Sequence, residues 1–330
     1  MFGFGQIKGN QLVKNALQSS IKKGKISHAY IFDGQEGCGK KLLAKTFAKA
    51  LQCQKKGIDS CGECISCKAL DNLNHPDIIY ISPTKASIGV TEVREQINAI
   101  INIKPYAHQY KIIIVENAEK LTSAAQNAVL KTLEEPPAYG IIIFLSNNIN
   151  SFLPTILSRC VNFKLLPVNN FEVKAYLSEK STNISDASEF CITYAGGNIG
   201  FLNKLLEDEN FITMREAAIN FLINLDAKSM NQIFDQFKII EEHKSDFDNF
   251  LEIVQLFLRD CIVAKELGQK HILQTDKKGI ILDYIKNIEQ DILIKKLEII
   301  LNAKYMLKYN TNFQMTIEVM LLKLRACNSL

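Results

Sequence analysis

The stretch Gly34–Lys41 reads GQEGCGKK, and its glycines and lysine have a spacing that suits phosphate groups. A short apolar run, HAYIF, precedes it, and a helical pattern, KLLAKTFAKAL, follows. Gly34, Gly37 and Gly39 allow the backbone to turn, so that amide groups and the helix N-terminus face an anion. Lys40 would reach the terminal phosphates. The alternative is a glycine-rich turn with a chance Gly-Lys pair, but the flanking strand and helix favour a phosphate-binding loop.

Two positions that handle metal and water in hydrolysing loops are altered here. Lys41 follows the loop lysine, where a Ser or Thr hydroxyl normally ligates Mg²⁺. The strand KIIIVENAEKL ends in Glu116, at the place of the usual metal-orienting Asp, and then in Asn117, at the place of a catalytic Glu. An amide cannot act as a general base. An ordinary buried strand is also compatible with this sequence. We predict weak ATP or ADP binding, no competent Mg²⁺ site, and little or no hydrolysis.

Four cysteines lie close together in the chain. Cys53, Cys61, Cys64 and Cys67 have the spacing C-x7-C-x2-C-x2-C. Four thiolates with two x2 spacings suit tetrahedral Zn²⁺ with no open position, which is a structural role. A redox CxxC pair and a fortuitous cluster are the alternatives. The remaining cysteines are scattered and are predicted to be small apolar packing residues: Cys38, Cys160, Cys191, Cys261 and Cys327.

One arginine after the last predicted strand is a candidate functional residue. Arg159 ends the stretch PTILSR, about a dozen residues after the strand GIIIFLSN. An exposed arginine is usually a surface charge. An arginine held there could instead reach a phosphate on a neighbouring subunit and stabilise charge in its transition state.

Composition places limits on the function. The 330 residues are 47% hydrophobic and 22% charged, with a net charge of +4. This charge is too small to indicate nucleic-acid binding by itself. The sequence has no charge-free run of 18 apolar residues, so no membrane span is predicted. The N-terminus lacks the layout of a signal peptide. We therefore predict a cytoplasmic protein whose nine cysteines are reduced, ligate metal or are buried, rather than paired in disulfides.

Strand-like and helix-like segments alternate up to about residue 165. The predicted strands are 29–34, 77–82, 111–116 and 140–147. Alternation of this kind indicates a parallel sheet with helices on both faces. Short helices broken at Gly196-Gly197 are predicted for 166–207, and apolar spacings of three and four predict an all-helical part over 208–330. We predict three domains with these bounds: α/β, small helical and larger helical.

These motifs occur in an order that resembles a known family. The motifs are HAYIFDGQEGCGKKLLAKTFAKALQC, the four-cysteine module, NHPD, SIGVTEVREQI, AAQNAVLKTLEEPP and LPTILSRC. The chain resembles the AAA+ clamp-loader subunits of bacterial DNA polymerase III, strongly over the first ~205 residues and by layout beyond. The resemblance implies a P-loop AAA+ domain at 1–165 with an inserted zinc module at 53–67. It also implies a lid at 166–207 and a helical collar, which mediates oligomerisation, at 208–330.

Three departures favour the delta-prime type over the gamma/tau type, which is the hydrolysing motor. Gamma/tau-like chains have Ser or Thr at the position of Lys41 and an acidic pair where this chain has Glu116 and Asn117. They also have a lid arginine where this chain has Gly200. The chain ends at residue 330 without the long extension expected of a polymerase- or helicase-binding subunit. A hydrolysing gamma/tau-like ATPase remains the alternative, and a free-standing DNA-binding module is a third hypothesis.

The resemblance also implies partners and a mechanism. The subunit would sit at one end of a ring with gamma/tau-like motor and delta-like subunits, and would act as a rigid stator. Arg159 would complete the ATP site of a neighbour in trans. The complex would open the sliding clamp and load it on primed DNA. Asn147 or Asn148 lies where motor subunits sense phosphate. The chain contains no residues that would make a phosphodiester bond, so any polymerase activity would belong to the holoenzyme.

Overall fold

The computed structural model describes residues 3–83, 85–106, 108–180, 186–227, 237, 240–241, 246–309 and 311–327. The chain divides into two compact units. The first consists of Met1–Thr182 with Ala195–Asn203, and the second of Asn183–Tyr194 with Lys204–Leu330. The three-domain division at 165 and 207 stays a prediction.

A five-stranded parallel sheet forms the centre of the first unit. Its strands are ordered β2-β3-β4-β1-β5. The four strands predicted from the sequence are confirmed, and the fifth was missed because it is a short, largely exposed edge strand. Their bounds are β1 Ala29–Asp33, β2 Ile78–Ile81, β3 Lys111–Val115, β4 Gly140–Ser146 and β5 Val161–Lys164.

Helices connect these strands as parallel crossovers require. The helix before β4 begins where the Thr122 hydroxyl accepts the Ala125 N–H at 3.2 Å, and it ends before Pro136, which could not continue it. The helices of the first unit are α1 Gln11–Lys23, α2 Lys40–Leu51, α3 Ile65–Asp71, α4 Val90–Glu92, a π-helical segment Val93–Asn98, α5 Ala99–Ile101, α6 Ser123–Glu134, α7 Pro154–Leu157 and α8 Asn170–Glu179. Two further helices, α9 Asp186–Tyr194 and α10 Ile199–Glu207, confirm the predicted short helices on both sides of Gly196-Gly197.

Both faces of the sheet are buried, because successive side chains of a strand point to opposite faces. On β1, Phe32 faces a cluster that contains Leu43 and Phe47 of α2. Its neighbour Ile31 faces a second cluster that contains Val129 of α6. This explains why the strands are continuous apolar runs, and it confirms the predicted α/β fold class.

A buried histidine joins the cysteine module to the sheet. His75 is 6% exposed. Its Nδ1 accepts the backbone N–H of Asp77 at 3.2 Å, and its Nε2 lies 3.1 Å from the Ser66 hydroxyl on α3. Because Nδ1 is an acceptor, the neutral ring carries its proton on Nε2 and donates to Ser66. Burial, together with the nearby His108 ring, lowers the pKa of His75 from 6.5 to about 4.

We expect acid to weaken the fold through this histidine. The unfolded chain binds a proton at His75 near pH 6.5, whereas the folded chain resists it down to about pH 4. The contribution to the free energy of unfolding is therefore constant above pH 6.5 and falls as pH drops from 6.5 to 4, by up to about 3 kcal/mol. Urea unfolding of the wild type and of His75→Asn at several pH values checks this. Asparagine keeps an acceptor for Asp77, so the difference between the two curves isolates the titration. Parallel curves between pH 7.5 and 5 would contradict it.

The second unit is helical, as predicted. Its helix Phe247–Glu266 has buried apolar residues at spacings of three and four, with Phe250, Val254 and Phe257 fully buried. The carboxylate of Asp260 accepts the backbone N–H groups of Leu273 and Gln274 at 3.1 and 2.8 Å, and so fixes the segment before the next helix. None of the described helices is long and apolar enough to cross a membrane. Besides α9, its described helices include α11 Glu209–Ala227, α12 Phe247–Glu266, α13 Lys278–Ile285, α14 Gln290–Lys308 and α15 Phe313–Ala326.

Candidate functional site

The order of the strands brings the predicted loop residues together. Because β3, β4 and β1 are neighbours, the residues that follow them meet at the carboxyl edge of the sheet. Gly34 follows β1, Glu116 follows β3 and Asn147 follows β4. Glu116 and Asn147, together with the loop that starts at Gly34, border a cavity of about 400 Å³, within the range of small-ligand sites. Its lining consists of Glu36, Gly37, Gly39, Lys40, Lys41, Leu42, Glu116, Asn117, Leu145 and Asn147.

The glycines of the loop are required by its conformation. Gly37 has φ +83° and Gly39 has φ +94°, which side chains rarely adopt. At Gly34 a Cβ would lie 2.8 Å from the Cys38 sulfur and 2.9 Å from the Leu165 carbonyl oxygen. The loop thus has the form of a phosphate-binding turn that leads into α2, as the sequence predicts.

Lys40 lies inside this loop. Its ammonium donates to the carbonyl oxygens of Gly34 and Gln35 at 2.5 and 2.8 Å and to Asn147 Oδ1 at 2.6 Å. Burial lowers its pKa. Asn147 in turn donates from Nδ2 to Glu119 Oε1 at 3.0 Å, so the strand-end amide connects the lysine to a carboxylate. A phosphate that entered the loop would have to replace these contacts of Lys40.

The two altered positions meet in the same cavity. Lys41 Nζ lies 2.6 Å from Glu116 Oε1, with 54% of the Lys41 side chain and 18% of the Glu116 side chain exposed. The contact is an ion pair set by charge and distance, since its angles do not meet those of a hydrogen bond. Asn117 is exposed and left-handed, with φ +49°, a conformation that asparagine tolerates better than most residues. The acid that would orient Mg²⁺ is therefore already paired with an ammonium group.

A segment of residues 195–203, within the first unit, supports the loop from outside. The buried Asn198 donates from Nδ2 to the Glu36 carbonyl oxygen at 2.5 Å. The backbone N–H of Gly200 donates to the Gly37 carbonyl oxygen at 3.0 Å. The sequence patterns single out Gly200 but not Asn198 or Glu119. The only signals for them were an asparagine after a double glycine and an acid three residues after Glu116.

The four predicted cysteines converge. Their sulfur atoms all lie within 4.8 Å of one another, and the Cys61 and Cys67 sulfurs are 3.9 Å apart. Backbone N–H groups point at three of the sulfurs: Cys61 N at Cys53 Sγ, Cys64 N at Cys61 Sγ and Cys67 N at Cys64 Sγ, at 3.3–3.4 Å. Tetrahedral thiolate sites place the sulfurs at about this spacing, and N–H groups favour the thiolate form. The cluster can therefore hold a metal ion such as zinc.

The thiols of this cluster differ in their surroundings. Backbone N–H groups from Glu63 and Cys64 lower the pKa of Cys61 to about 6, so it is largely a thiolate at neutral pH. Burial raises the pKa of Cys67, which is fully buried. Outside the cluster, three cysteines are buried packing residues, as predicted: Cys191, Cys261 and Cys327.

Arg159 lies in the turn between α7 and β5. Its guanidinium donates to the Thr155 carbonyl oxygen at 3.0 Å, to the Ser158 hydroxyl at 3.2 Å and to Glu134 Oε1 at 2.8 Å. The side chain is 35% exposed and that of Glu134 is 51% exposed. An ion pair this exposed is weak, so breaking it to let Arg159 contact another molecule requires little free energy.

Two family models match the sequence. A model described as "DNA polymerase III, delta subunit" matches residues 9–169, which include the loop, the cysteine cluster and Arg159. A model described as "DNA polymerase III, delta subunit, C terminal" matches residues 209–326, which are the helices of the second unit. Together they match most of the chain.

Known relatives separate the two subunit types. DNA polymerase III subunit delta' of Bacillus subtilis is 25% identical over 316 residues, 95% of each protein. Subunit tau of the same organism is 28% identical over 284 residues, 79% of this chain but 50% of that protein, so the chain spans about half its length. A solved structure of a gamma subunit-related protein of Thermotoga maritima aligns over 96% of this chain and 99% of its own at 18% identity. Its TM-score of 0.40 is too low to add to the argument.

End-to-end alignment with delta', against partial alignment with tau, confirms the delta-prime prediction made from the departures at the loop and at the second motif. With both halves matched by delta-subunit models, the chain belongs to the delta family of DNA polymerase III clamp-loader subunits.

Proposed function

We propose that the chain is a delta-prime-like stator of the clamp loader that does not hydrolyse ATP itself. The observation that carries this proposal is the ion pair between Lys41 and Glu116, at 2.6 Å. A hydrolysing site needs an acid free to orient Mg²⁺ and a base to polarise water. In this cavity the acid is paired with an ammonium group and the position of the base is Asn117. Nucleotide binding would be weak, because it must displace the contacts of Lys40.

Arg159 is the residue through which the stator would act on its neighbours. Its guanidinium is partly exposed and is held by a weak ion pair to Glu134. Arginine supplied from another subunit stabilises the charge of a phosphoryl-transfer transition state. We assign Arg159 this role at the ATP site of an adjacent gamma/tau-like subunit.

The cysteine cluster is assigned to a structural zinc ion held by Cys53, Cys61, Cys64 and Cys67. Four thiolate ligands leave no open position for substrate or water. Bound zinc would cross-link the Cys53–Cys67 segment and would have no catalytic role. His75 and Ser66 then carry the rigidity of this segment to the sheet.

The partners follow from the assignment. Gamma/tau-like motor and delta-like subunits would complete a ring through the helical part at 208–330, and the complex would meet the sliding clamp and primed DNA. From this assignment we infer that the chain acts in the cytoplasm.

Reconstitution tests the function. We expect the isolated chain to release no phosphate from ATP above background, with or without DNA and clamp. Adding it to gamma/tau and delta subunits should yield one complex by size-exclusion chromatography and raise DNA- and clamp-stimulated hydrolysis. Clamp- and DNA-stimulated hydrolysis by the chain alone would instead identify a gamma/tau-like ATPase.

A further inference from the structure

The pairing of Lys41 with Glu116 changes what the cavity can bind. Mg²⁺ takes oxygen ligands in near-octahedral geometry at about 2.0–2.1 Å. Here the hydroxyl ligand is absent, and the one acid at the metal position already has an ammonium group 2.6 Å away. A divalent cation placed on Glu116 would have to displace Lys41 or stand beside it, and like charges repel. The residues present do not fit Mg²⁺.

The ammonium group of Lys41 meets the electrostatic need that Mg²⁺ normally meets. It has three N–H donors, and the Glu116 carboxylate lies on one side of it at 2.6 Å. The side chain is 54% exposed, borders the cavity and starts one residue after Lys40 on the first turn of α2. It can therefore contact Glu116 and a phosphate oxygen at the same time, as a bridging cation does.

The charges of the cavity support the same conclusion. Lys40 and Lys41 line the cavity together with Glu36 and Glu116, and Lys41 is paired with Glu116. Lys40 is held inside the loop by two carbonyl oxygens and an amide oxygen, and a phosphate would take over these donors. Two lysine ammonium groups of this chain therefore border the space that a bound phosphate would occupy.

We propose that this loop binds the phosphates of a nucleoside di- or triphosphate without Mg²⁺, with the Lys41 ammonium in the place of the metal. The inference rests on the proposed function only in taking the loop as a phosphate site that has lost hydrolysis. It predicts a ligand-bound state that is insensitive to the metal on which hydrolysing subunits depend.

Nucleotide binding with and without magnesium tests the proposal. A fluorescent ADP analogue is titrated with the full chain, by anisotropy, in buffer passed over chelating resin and in the same buffer with Mg²⁺. Resin treatment of the buffer, rather than added chelator, leaves the cysteine-bound metal in place. For the wild type we expect the Kd to change by less than about threefold between the buffers. For Lys41→Ser we expect binding at least about tenfold weaker without Mg²⁺ than with it.

Lys286→Ser is the matched control. Lys286 also forms an exposed ion pair at 2.6 Å, with Asp283, but lies outside the cavity. This variant should bind like the wild type in both buffers. Wild-type binding that needs Mg²⁺, or no binding in either buffer, would overturn the proposal. Because only the isolated chain is measured, neither result bears on the stator role, which is tested in the assembled complex.

Discussion

Changing Arg159 to alanine in the reconstituted complex is expected to abolish ATP hydrolysis at the adjacent motor site. An arginine finger contributes a factor of about 10³–10⁵ to kcat. The guanidinium can be released for this role because its contacts are one exposed ion pair and two solvent-exposed hydrogen bonds to its own turn. If the ATP sites of the ring hydrolyse ATP one after another, we expect clamp- and DNA-stimulated steady-state hydrolysis to fall at least about tenfold. The measurement is phosphate release, with assembly checked by size-exclusion chromatography.

Glu134→Gln separates this role from a structural one. It removes the ion pair with Arg159 but keeps the guanidinium. A finger predicts that Glu134→Gln retains hydrolysis and Arg159→Ala loses it. A role confined to holding the turn predicts that both variants lose it together. Arg159→Lys should be intermediate, since lysine keeps the charge but lacks the planar fork. Unchanged hydrolysis with Arg159→Ala in an intact complex would remove Arg159 from the mechanism.

Loss of the cysteine-bound metal is the second large effect that we expect. Structural zinc sites in small peptides contribute about 10–16 kcal/mol of binding free energy, which is also folding free energy. In this chain the sheet has its own core, so the effect should be concentrated in the segment around Cys53–Cys67. We expect Cys67→Ser to lower zinc content from about one ion per chain to under about a tenth, and to lower Tm by roughly 5–10 °C.

Metal analysis of the purified protein and thermal unfolding check this expectation. Cys191→Ser is the control, because Cys191 is also buried but lies outside the cluster. It should retain its zinc. Limited proteolysis should cut Cys67→Ser first between residues 53 and 74. A wild-type protein with reduced thiols and no bound metal would contradict the zinc assignment.

Most of the α/β core could be predicted from local sequence patterns. Continuous apolar runs identified four strands, because strands buried on both faces have no polar side. Val161–Lys164 was missed since an edge strand of four residues has neither length nor burial to mark it. The cysteine spacing identified the whole ligand set, because three of the four ligands lie within seven residues and their backbone fixes the geometry.

Contacts between distant residues could not be predicted in this way. Asn198 supports the loop at Glu36 across 162 residues, and nothing near either residue indicates the other. The substitution at Lys41 was visible, but its consequence was not. The sequence shows that position 41 has no hydroxyl group, whereas only the geometry shows that the Lys41 ammonium group is paired with Glu116. The same holds for Arg159, whose partner Glu134 lies on a helix 25 residues away.

The contact between Gly200 and the loop leaves no room for a side chain at position 200. A Cβ at position 200 would lie 2.5 Å from the Gly37 carbonyl oxygen and 2.7 Å from its Cα. Neither is the end of a flexible side chain, so any larger residue must first move backbone. An arginine at this position, which the resemblance implies for motor subunits, would therefore disturb the loop of this chain. Position 200 can accept a side chain only if the loop lies farther away, so the conformation of the phosphate loop and the identity of residue 200 depend on each other.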